Sequence, residues 1–414
     1  MRIAYLTQPY PPMISGAAIV AQQTAQAMAQ SGHQVLVIAA SEREYPYDIS
    51  EGSLTVLRLR SYANPLRVDQ RLLASPRQAT LQALSRFQPD VIHVHEPVQM
   101  GMLALEYAKH AQIPVVFTAH SLPCFVTSYL PRSLRPAAEK LLWVYARWLL
   151  GKYSSVITPT QTVADIIRQR TGIKPKVISN GLNLQTFHPP LASDDETAAR
   201  QKWNLPLNVP LLLHTGRLDA DKSVDQVIRT AAQAFRESDA HLVIVGDGCQ
   251  KNNLIKLCAE LGIETRVHFL GFVSVGAGLP EIYRLANVFV TTSEIETQGL
   301  VLLEAAASAL PIVAVNATCI PEIVHDRVNG FLAKSGDIQA LSAAAITLLK
   351  NPRKARRLGR EGRILAEVHG LHSTRDLHEE LYQETLKRMR RRGLAETGRL
   401  DTSWKLMKTL IKLK

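Results

Sequence analysis

The segment Glu296-Thr297-Gln298-Gly299-Leu300-Val301-Leu302-Leu303-Glu304 holds two carboxylates at an E-x7-E spacing, in a glycine-containing loop that runs into an apolar helix, Leu300 to Ser308. Glu304 falls among Leu, Val and Ala, where an ionised carboxylate is costly without a partner. A ligand hydroxyl is one such partner; a structural salt bridge is the other, and it would leave Glu296 unexplained. The opening of this helix offers N–H groups and partial positive charge to an anion such as a leaving diphosphate. Upstream, Thr215-Gly216-Arg217-Leu218 with Lys222 supplies a glycine, a guanidinium and an ammonium. Arg gives forked bonds to phosphate oxygens and Lys a point charge, so Arg217 and Lys222 form an expected phosphate pair, with solvated turn charges as the plain alternative. Gly246-Asp247-Gly248 reads as a third ligand loop or as a sharp strand-to-helix turn.

Histidines form a second group. His120 closes the run Val115 to Ala119, where it is either a site residue or a polar strand end with a local bond. His93-Val94-His95-Glu96 places two imidazoles on one face of a strand, yet no convincing third ligand accompanies them, so no metal is expected. His95 and Glu96 are expected to line a cleft.

These residues need elements to carry them. Arg2 to Thr7, Gln34 to Ala39, Leu54 to Leu59, Asp90 to His95, Val115 to Ala119 and Ser155 to Pro159 are short apolar or β-branched runs. The helical patterns Gly16 to Ser31, Ser75 to Phe87, Gly101 to Ala111 and Leu134 to Lys152 separate them, as in a parallel sheet covered on both faces. The alternation restarts at Pro210 to Thr215 and continues through His241 to Val245, Val267 to Phe269, Val288 to Thr291 and Ile312 to Val315. Turn signals in Ile178 to Leu191 mark the boundary. The expected units are a first domain, 1–186, a second, 187–370, and helices, 371–414, packing back toward the first. Gly393 and Gly398 read as weak helix breaks before an amphipathic segment, Thr402 to Lys414, with Trp404, Met407, Leu410 and Ile411 on one stripe. Two such domains bring the carboxyl ends of their sheets to a common cleft, where ligands of these folds bind.

In this order and spacing, the E-x7-E pair, TGRL with Lys222, GDG, and the glycine loop Pro11 to Ala17 resemble family-four GT-B glycosyltransferases across roughly residues 1–349. The resemblance implies the GT-B fold, an α/β arrangement of two Rossmann-like doubly wound domains facing a central cleft. It also implies retaining, metal-independent transfer of a hexosyl group from a nucleotide diphosphate sugar, with uridine the commoner base and guanosine the other, and no cofactor beyond that donor. By the same resemblance Glu296 touches the sugar hydroxyls, Glu304 holds the ribose, and Arg217 and Lys222 bind the diphosphate near Gly246, Gly299 and Leu300. Gly271-Phe272 stacks on or bonds the base, Gly16 admits the phosphate to the backbone, and His120 bonds the transferred sugar. The chain departs from the family pattern at Gln298, where relatives have Phe, and at Ser179-Asn180-Gly181 with Asn183, where they read PNG followed by Asp.

Composition bounds the rest. With 414 residues, 46% apolar and 20% charged, the chain can bury two cores. Cys124, Cys249, Cys258 and Cys319 form no CxxC pair, which points to a reducing cytoplasm, and the start reads as a strand, not an export signal. The longest apolar stretch, Gly299 to Val315, is interrupted by Glu304 and Pro311 and falls short of a membrane span. Residues 350–414 hold eighteen Lys and Arg against eight Asp and Glu, so net +10 of the chain's +12 belongs to that end. The segment Ser121 to Gly151 mixes Phe125, Tyr129, Leu130, Trp143, Tyr145 and Trp148 with Arg132, Arg135, Lys140 and Arg147. That mixture suits an anionic membrane surface on the inner face of the cell membrane, and by resemblance a lipid acceptor such as diacylglycerol or a phosphoinositide. A soluble or polysaccharide acceptor, and a nucleotide-sugar epimerase of the same fold, are the alternatives. Nucleic-acid binding is not expected, since no recognition module accompanies the basic end.

Overall fold

The computed structural model describes residues 1–13, 15–64, 71–127, 130–131 and 133–411, without the side chains of residues 126 and 392–411. Tyr129, Arg132 and the side chains of the expected Trp404–Ile411 stripe therefore lie outside the described residues.

Two Rossmann-like α/β units make up the molecule. The first sheet has eight strands in the spatial order Lys176–Val177, Ser155–Thr158, Val115–Thr118, Val91–Val94, Arg2–Leu6, Gln34–Ala40, Leu54–Leu59 and Tyr47–Glu51. All pairings are parallel except that of Tyr47–Glu51 with Leu54–Leu59. The two-residue side-chain period is plain in Arg2–Leu6. Ala4 and Leu6 enter one apolar core with Ile92, Val94 and Phe117, while Ile3 and Tyr5 enter another with Val37, Val91 and Ile157. The second sheet is wholly parallel, in the order Val267–Gly271, His241–Val245, Leu211–Thr215, Val288–Thr291, Ile312–Val315 and Gly330–Ala333. Its central strands are buried on both faces, as their unbroken apolar runs require.

The chain passes between the sheets twice, and the two passages lie side by side. Leu182 N donates to His369 O and Leu371 N to Leu182 O, each at 2.9 Å. Gly181 sits here at φ 80°, and a Cβ on it would meet Leu371 Cδ1 at 3.1 Å and Thr374 Cβ at 3.2 Å. A left-handed turn pressed against the returning helix demands glycine.

After Pro352–Glu367 the chain re-enters a helix at Leu371 that runs to Ile411. The expected breaks at Gly393 and Gly398 are absent; the interruption falls earlier, at 368–370. A glycine inside a helix costs only about 1 kcal/mol relative to Ala, too little to end one. Leu381 and Tyr382 of this helix are buried in the core that contains Ile3 and Tyr5. Among the described residues no helix is long and apolar enough to cross a membrane.

Candidate active site

The expected site residues gather in loops that follow strands. Lys222 leaves the short turn after Leu211–Thr215, and its Nζ lies 2.6 Å from Glu296 Oε1 and 3.2 Å from Ile295 O. Both side chains are mostly buried, so the pair is poorly screened by water. Arg217 does not join Lys222 on a shared anion. Its guanidinium pairs with Asp219 and, at 2.9 Å through Nη2, with Asp221. Each cation of the expected phosphate pair is held by carboxylate, Arg217 by Asp219 and Asp221 of its own loop and Lys222 by Glu296 of the loop after Val288–Thr291.

Glu304 meets neither a salt bridge nor a vacant interior. Its Oε2 accepts the Tyr283 hydroxyl at 2.7 Å, and that hydroxyl lies 2.6 Å from Thr215 Oγ1. Burial raises the Glu304 carboxyl to about 7, the phenol bond acting in the opposite direction. Tyr283 engages Oε2 alone, and no bond to Oε1 is seen among the described residues. Tyr283 carried no signal in the sequence, because its helix, Leu279–Leu285, reads as ordinary core.

The glycine turns are laced together. Gly216 N donates to Val245 O at 3.0 Å, Gly246 N to Gly271 O at 2.8 Å, and Leu218 N to Asp247 O at 2.9 Å. A Cβ on Gly246 would stand 1.8 Å from Gly216 O, so the contact between turns by itself requires glycine there. Phe272, beside Gly271 at the end of its strand, is 49% exposed, an open aromatic face at the rim. Gly299 at φ 77° caps the helix Leu300–Ala307, whose first turn faces the other domain.

That other wall is the loop Pro11–Ala17. Ser15 Oγ caps the helix Gly16–Gln30 by accepting from Ala18 N at 3.1 Å. A Cβ on Gly16 would find only Leu300 Cδ1, at 3.8 Å across the cleft, an ordinary contact. The protein's own packing does not demand a glycine at 16. Behind the loop, buried Arg58 donates to Tyr10 O at 3.3 Å, Ala40 O at 3.0 Å and also to Pro11 O. Arg58 was invisible as a site residue, since a strand arginine reads as a solvated charge.

His120 follows Val115–Thr118 at the cleft, half-buried, and its carbonyl receives Thr297 Oγ1 at 3.4 Å from the opposite domain. Its Nε2 lies 2.7 Å from His95 Nδ1, and burial lowers His120 to about 4. One expectation is corrected here. His95 does not line the cleft but lies buried behind His120. Glu96 accepts from Val98 N at 2.6 Å and Met100 N at 2.8 Å, so its carboxylate stabilises the start of Gln99–Ala111. His93, also buried, spans Tyr382 OH at 2.6 Å and Thr118 Oγ1 at 2.7 Å. Among the described residues no three His, Cys, Asp or Glu side chains come together as a metal cage.

Further bonds tie the walls together: Thr160 Oγ1 to Thr297 O at 2.7 Å, and the Glu322 carboxylate to Gln161 N and Thr162 N at 2.8 and 2.7 Å. Two largely parallel α/β sheets with such loops converging on one cleft are the arrangement of the GT-B fold. Residues 14–186 match the family described as Glycosyltransferase Family 4 and residues 195–364 that described as Glycosyl transferases group 1. The uncharacterized glycosyltransferase MJ1607 of Methanocaldococcus jannaschii is 30% identical over 342 residues, 80% of this chain and 84% of that protein. The alpha-monoglucosyldiacylglycerol synthase of Streptococcus pneumoniae is 26% identical over 338 residues, 80% of this chain and 75% of that one. Anabaena Alr3699/HepE, solved with UDP-glucose, superposes with a TM-score of 0.73 at 22% identity, covering 94% of this chain and 99% of its own. The chain belongs to the GT-B glycosyltransferases of the family-four and group-one type.

Proposed function

We propose that the protein is a retaining hexosyltransferase that works without a metal ion, takes its sugar from a UDP-sugar and delivers it to a hydroxyl of a membrane lipid such as diacylglycerol. The observation that carries the reading is the Lys222–Glu296 pair at 2.6 Å, set before the open turn of Leu300–Ala307 and opposite Gly16. In the transfer, the bond from the sugar's anomeric carbon to the β-phosphate oxygen breaks and one to the acceptor oxygen forms on the same face. The acceptor's proton passes to an oxygen of the departing diphosphate. Lys222 and the N–H groups of Leu300 and its neighbours, joined by Arg217 once it leaves Asp219 and Asp221, stabilise the charge that grows on that diphosphate, in a site partly shut to water. Glu296 and His120 hold the sugar hydroxyls, the free oxygen of Glu304 holds the ribose, and Phe272 with Gly271 meets the base.

The lipid acceptor draws support from the outward side of the helix Arg135–Leu150. Leu141 is 70% exposed, Val144 63% and Trp148 49%, with exposed Lys140 and Arg147 among them. Buried Trp143, Leu149 and Leu150 hold the other side to the core. An apolar stripe edged by cations suits an anionic bilayer at the inner face of the cell membrane. Beside it runs a groove of about 880 Å³ lined in part by Val98, Met102, Leu105, Trp148 and Lys152. The S. pneumoniae relative bears the name of a diacylglycerol glucosylating enzyme, in keeping with such an acceptor.

The test is a donor screen read by product mass, offering UDP- and GDP-sugars with a membrane lipid extract. A new α-linked glycolipid formed from a UDP-sugar in the presence of a chelator supports every part of the reading. Soluble products alone remove the lipid acceptor, a β-linked product removes retention, and epimerised nucleotide-sugar without acceptor removes transfer.

A further inference from the structure

The two nitrogens of the His120 ring are chemically distinct, and the residue behind it decides which one carries the proton. We infer that His95 is a positioning residue that fixes His120 as its Nδ1–H tautomer, so that His120 offers the bound sugar an N–H donor instead of a lone pair. This inference rests on the reading of His120 as the histidine that meets the sugar.

His95 Nδ1 and His120 Nε2 stand 2.7 Å apart with their rings stacked at 18°. Burial holds His120 at about 4 and His95 well below the ordinary histidine value, so both rings are neutral near pH 7 and one proton lies between them. Either His95 donates it from Nδ1 or His120 donates it from Nε2. The far nitrogen of His95 discriminates. His95 Nε2 is buried and has no hydrogen-bond partner among the described residues. If His120 donated, His95 would have to carry its own proton on Nε2, burying an N–H with nothing to receive it. The neighbouring rings of His93 and Tyr5 are tilted by only 35° and 36° from the His95 plane, so an N–H in that plane would not point onto either ring face. With the proton on Nδ1, the orphaned atom is only a lone pair, and buried unsatisfied N–H groups are the rarer of the two defects.

His95 therefore donates and His120 Nε2 accepts. The His120 proton is then on Nδ1, the nitrogen turned away from His95, which has no protein partner among the described residues. His93 makes the contrast clear. Its two nitrogens face hydroxyls, Tyr382 OH and Thr118 Oγ1, which can each donate or accept and so impose no tautomer.

Long-range ¹⁵N–¹H correlation spectra of the uniformly ¹⁵N-labelled full chain read the tautomers directly, with His95→Asn and His120→Asn providing assignments. The expected wild-type spectrum has His120 protonated at Nδ1 and bare at Nε2, and His95 likewise. His95→Phe fills the space without a donor; there His120 should move toward Nε2–H. With it kcat should fall about tenfold or more, the scale on which outer-shell partners of functional histidines act. Binding of UDP alone, followed by calorimetry, should hold, since UDP lacks the sugar. His95→Asn, whose amide can donate from near the Nδ1 position, should restore the Nδ1–H signature of His120 and part of kcat. A wild-type His120 protonated at Nε2, or a tautomer unmoved by His95→Phe, overturns the inference, and the wild-type spectrum decides the first point even if the Phe variant does not fold. Full turnover of His120→Ala would instead overturn the sugar-binding role of His120, whatever the spectra say about its tautomer.

Discussion

Gln298 and Ser179, two of the positions at which this chain departs from the family pattern, touch each other. Gln298 Nε2 donates to Ser179 Oγ at 2.7 Å, and its Oε1 accepts the N–H of Asn180 at 3.0 Å. The amide is 1% exposed and joins the donor-side loop to the passage between the domains. Ser179 Oγ also lies 3.0 Å from His369 Nδ1, on the returning passage. The three bonds bind loop and both passages into one unit.

Gln298→Ala leaves the Asn180 N–H without a protein acceptor, and the expected loss of stability is about 1–3 kcal/mol. Urea midpoints of Gln298→Ala, Ser179→Ala and the double variant check it. The double loss should be smaller than the sum of the singles, because the residues share a bond. Additive losses would mean that they act separately.

Glu304 makes stability depend on pH in a definite direction. Its carboxyl is raised from 4.5 to about 7 in the folded protein. Its contribution is thus complete below about pH 4.5 and is lost as pH rises to about 7, on the order of 3 kcal/mol across that window. Glu304→Gln should remove this slope from denaturation midpoints measured between pH 5 and 8. A ribose hydroxyl donates to the ionised form, so UDP should bind more tightly as pH passes through about 7, with proton release detectable by calorimetry in buffers of different ionisation enthalpy.

Lys222 and Glu296 should fail together. Removing either side chain leaves the other charged, largely enclosed and without its partner. Lys222→Ala and Glu296→Ala are each expected to lower kcat by about 10²–10³, the cost of losing one preorganised electrostatic contact. Thermal melts that stay near wild type would separate this loss from unfolding. Turnover within a few fold of wild type would remove the pair from the site.

The outward stripe of Arg135–Leu150 should govern membrane attachment. Leu141→Ser, Val144→Ser and Trp148→Ser combined should abolish co-sedimentation with anionic vesicles while transfer to a short-chain soluble acceptor persists. Raising the salt concentration should weaken wild-type binding as it screens Lys140 and Arg147. Equal co-sedimentation by the triple variant would end the assignment, and removal of Leu400 to Lys414 tests the basic tail in the same assay.

The runs legible in the sequence were those whose residues are buried on both sides. Leu211–Thr215 and Val288–Thr291 read as strands because parallel sheets leave them no polar face. Tyr47–Glu51 escaped notice for the opposite reason: it is a mostly exposed, antiparallel edge strand, and YDISE has no apolar stripe. Glu304 stood out because its neighbours are aliphatic, whereas Tyr283, which holds it, looked like any core aromatic. Arg58 and Gln298 act through partners distant in the chain, so local pattern carried no trace of their roles. The Gln298 and Ser179 departures were visible one by one; their contact was not.

The helix that closes the chain has a consequence for its synthesis. Tyr5 OH meets Tyr382 OH at 3.0 Å, 377 residues later, inside the core of the first sheet. At about 5–20 residues per second on the ribosome, that partner is made roughly 20–75 s after Tyr5. Throughout that interval the face of the sheet bearing Ile3, Tyr5 and His93 has the helix Gly16–Gln30 but lacks the part of its cover that Leu381 and Tyr382 supply, and chaperones that bind apolar surface have access to the nascent protein there. A helix made late in synthesis completes a domain begun early.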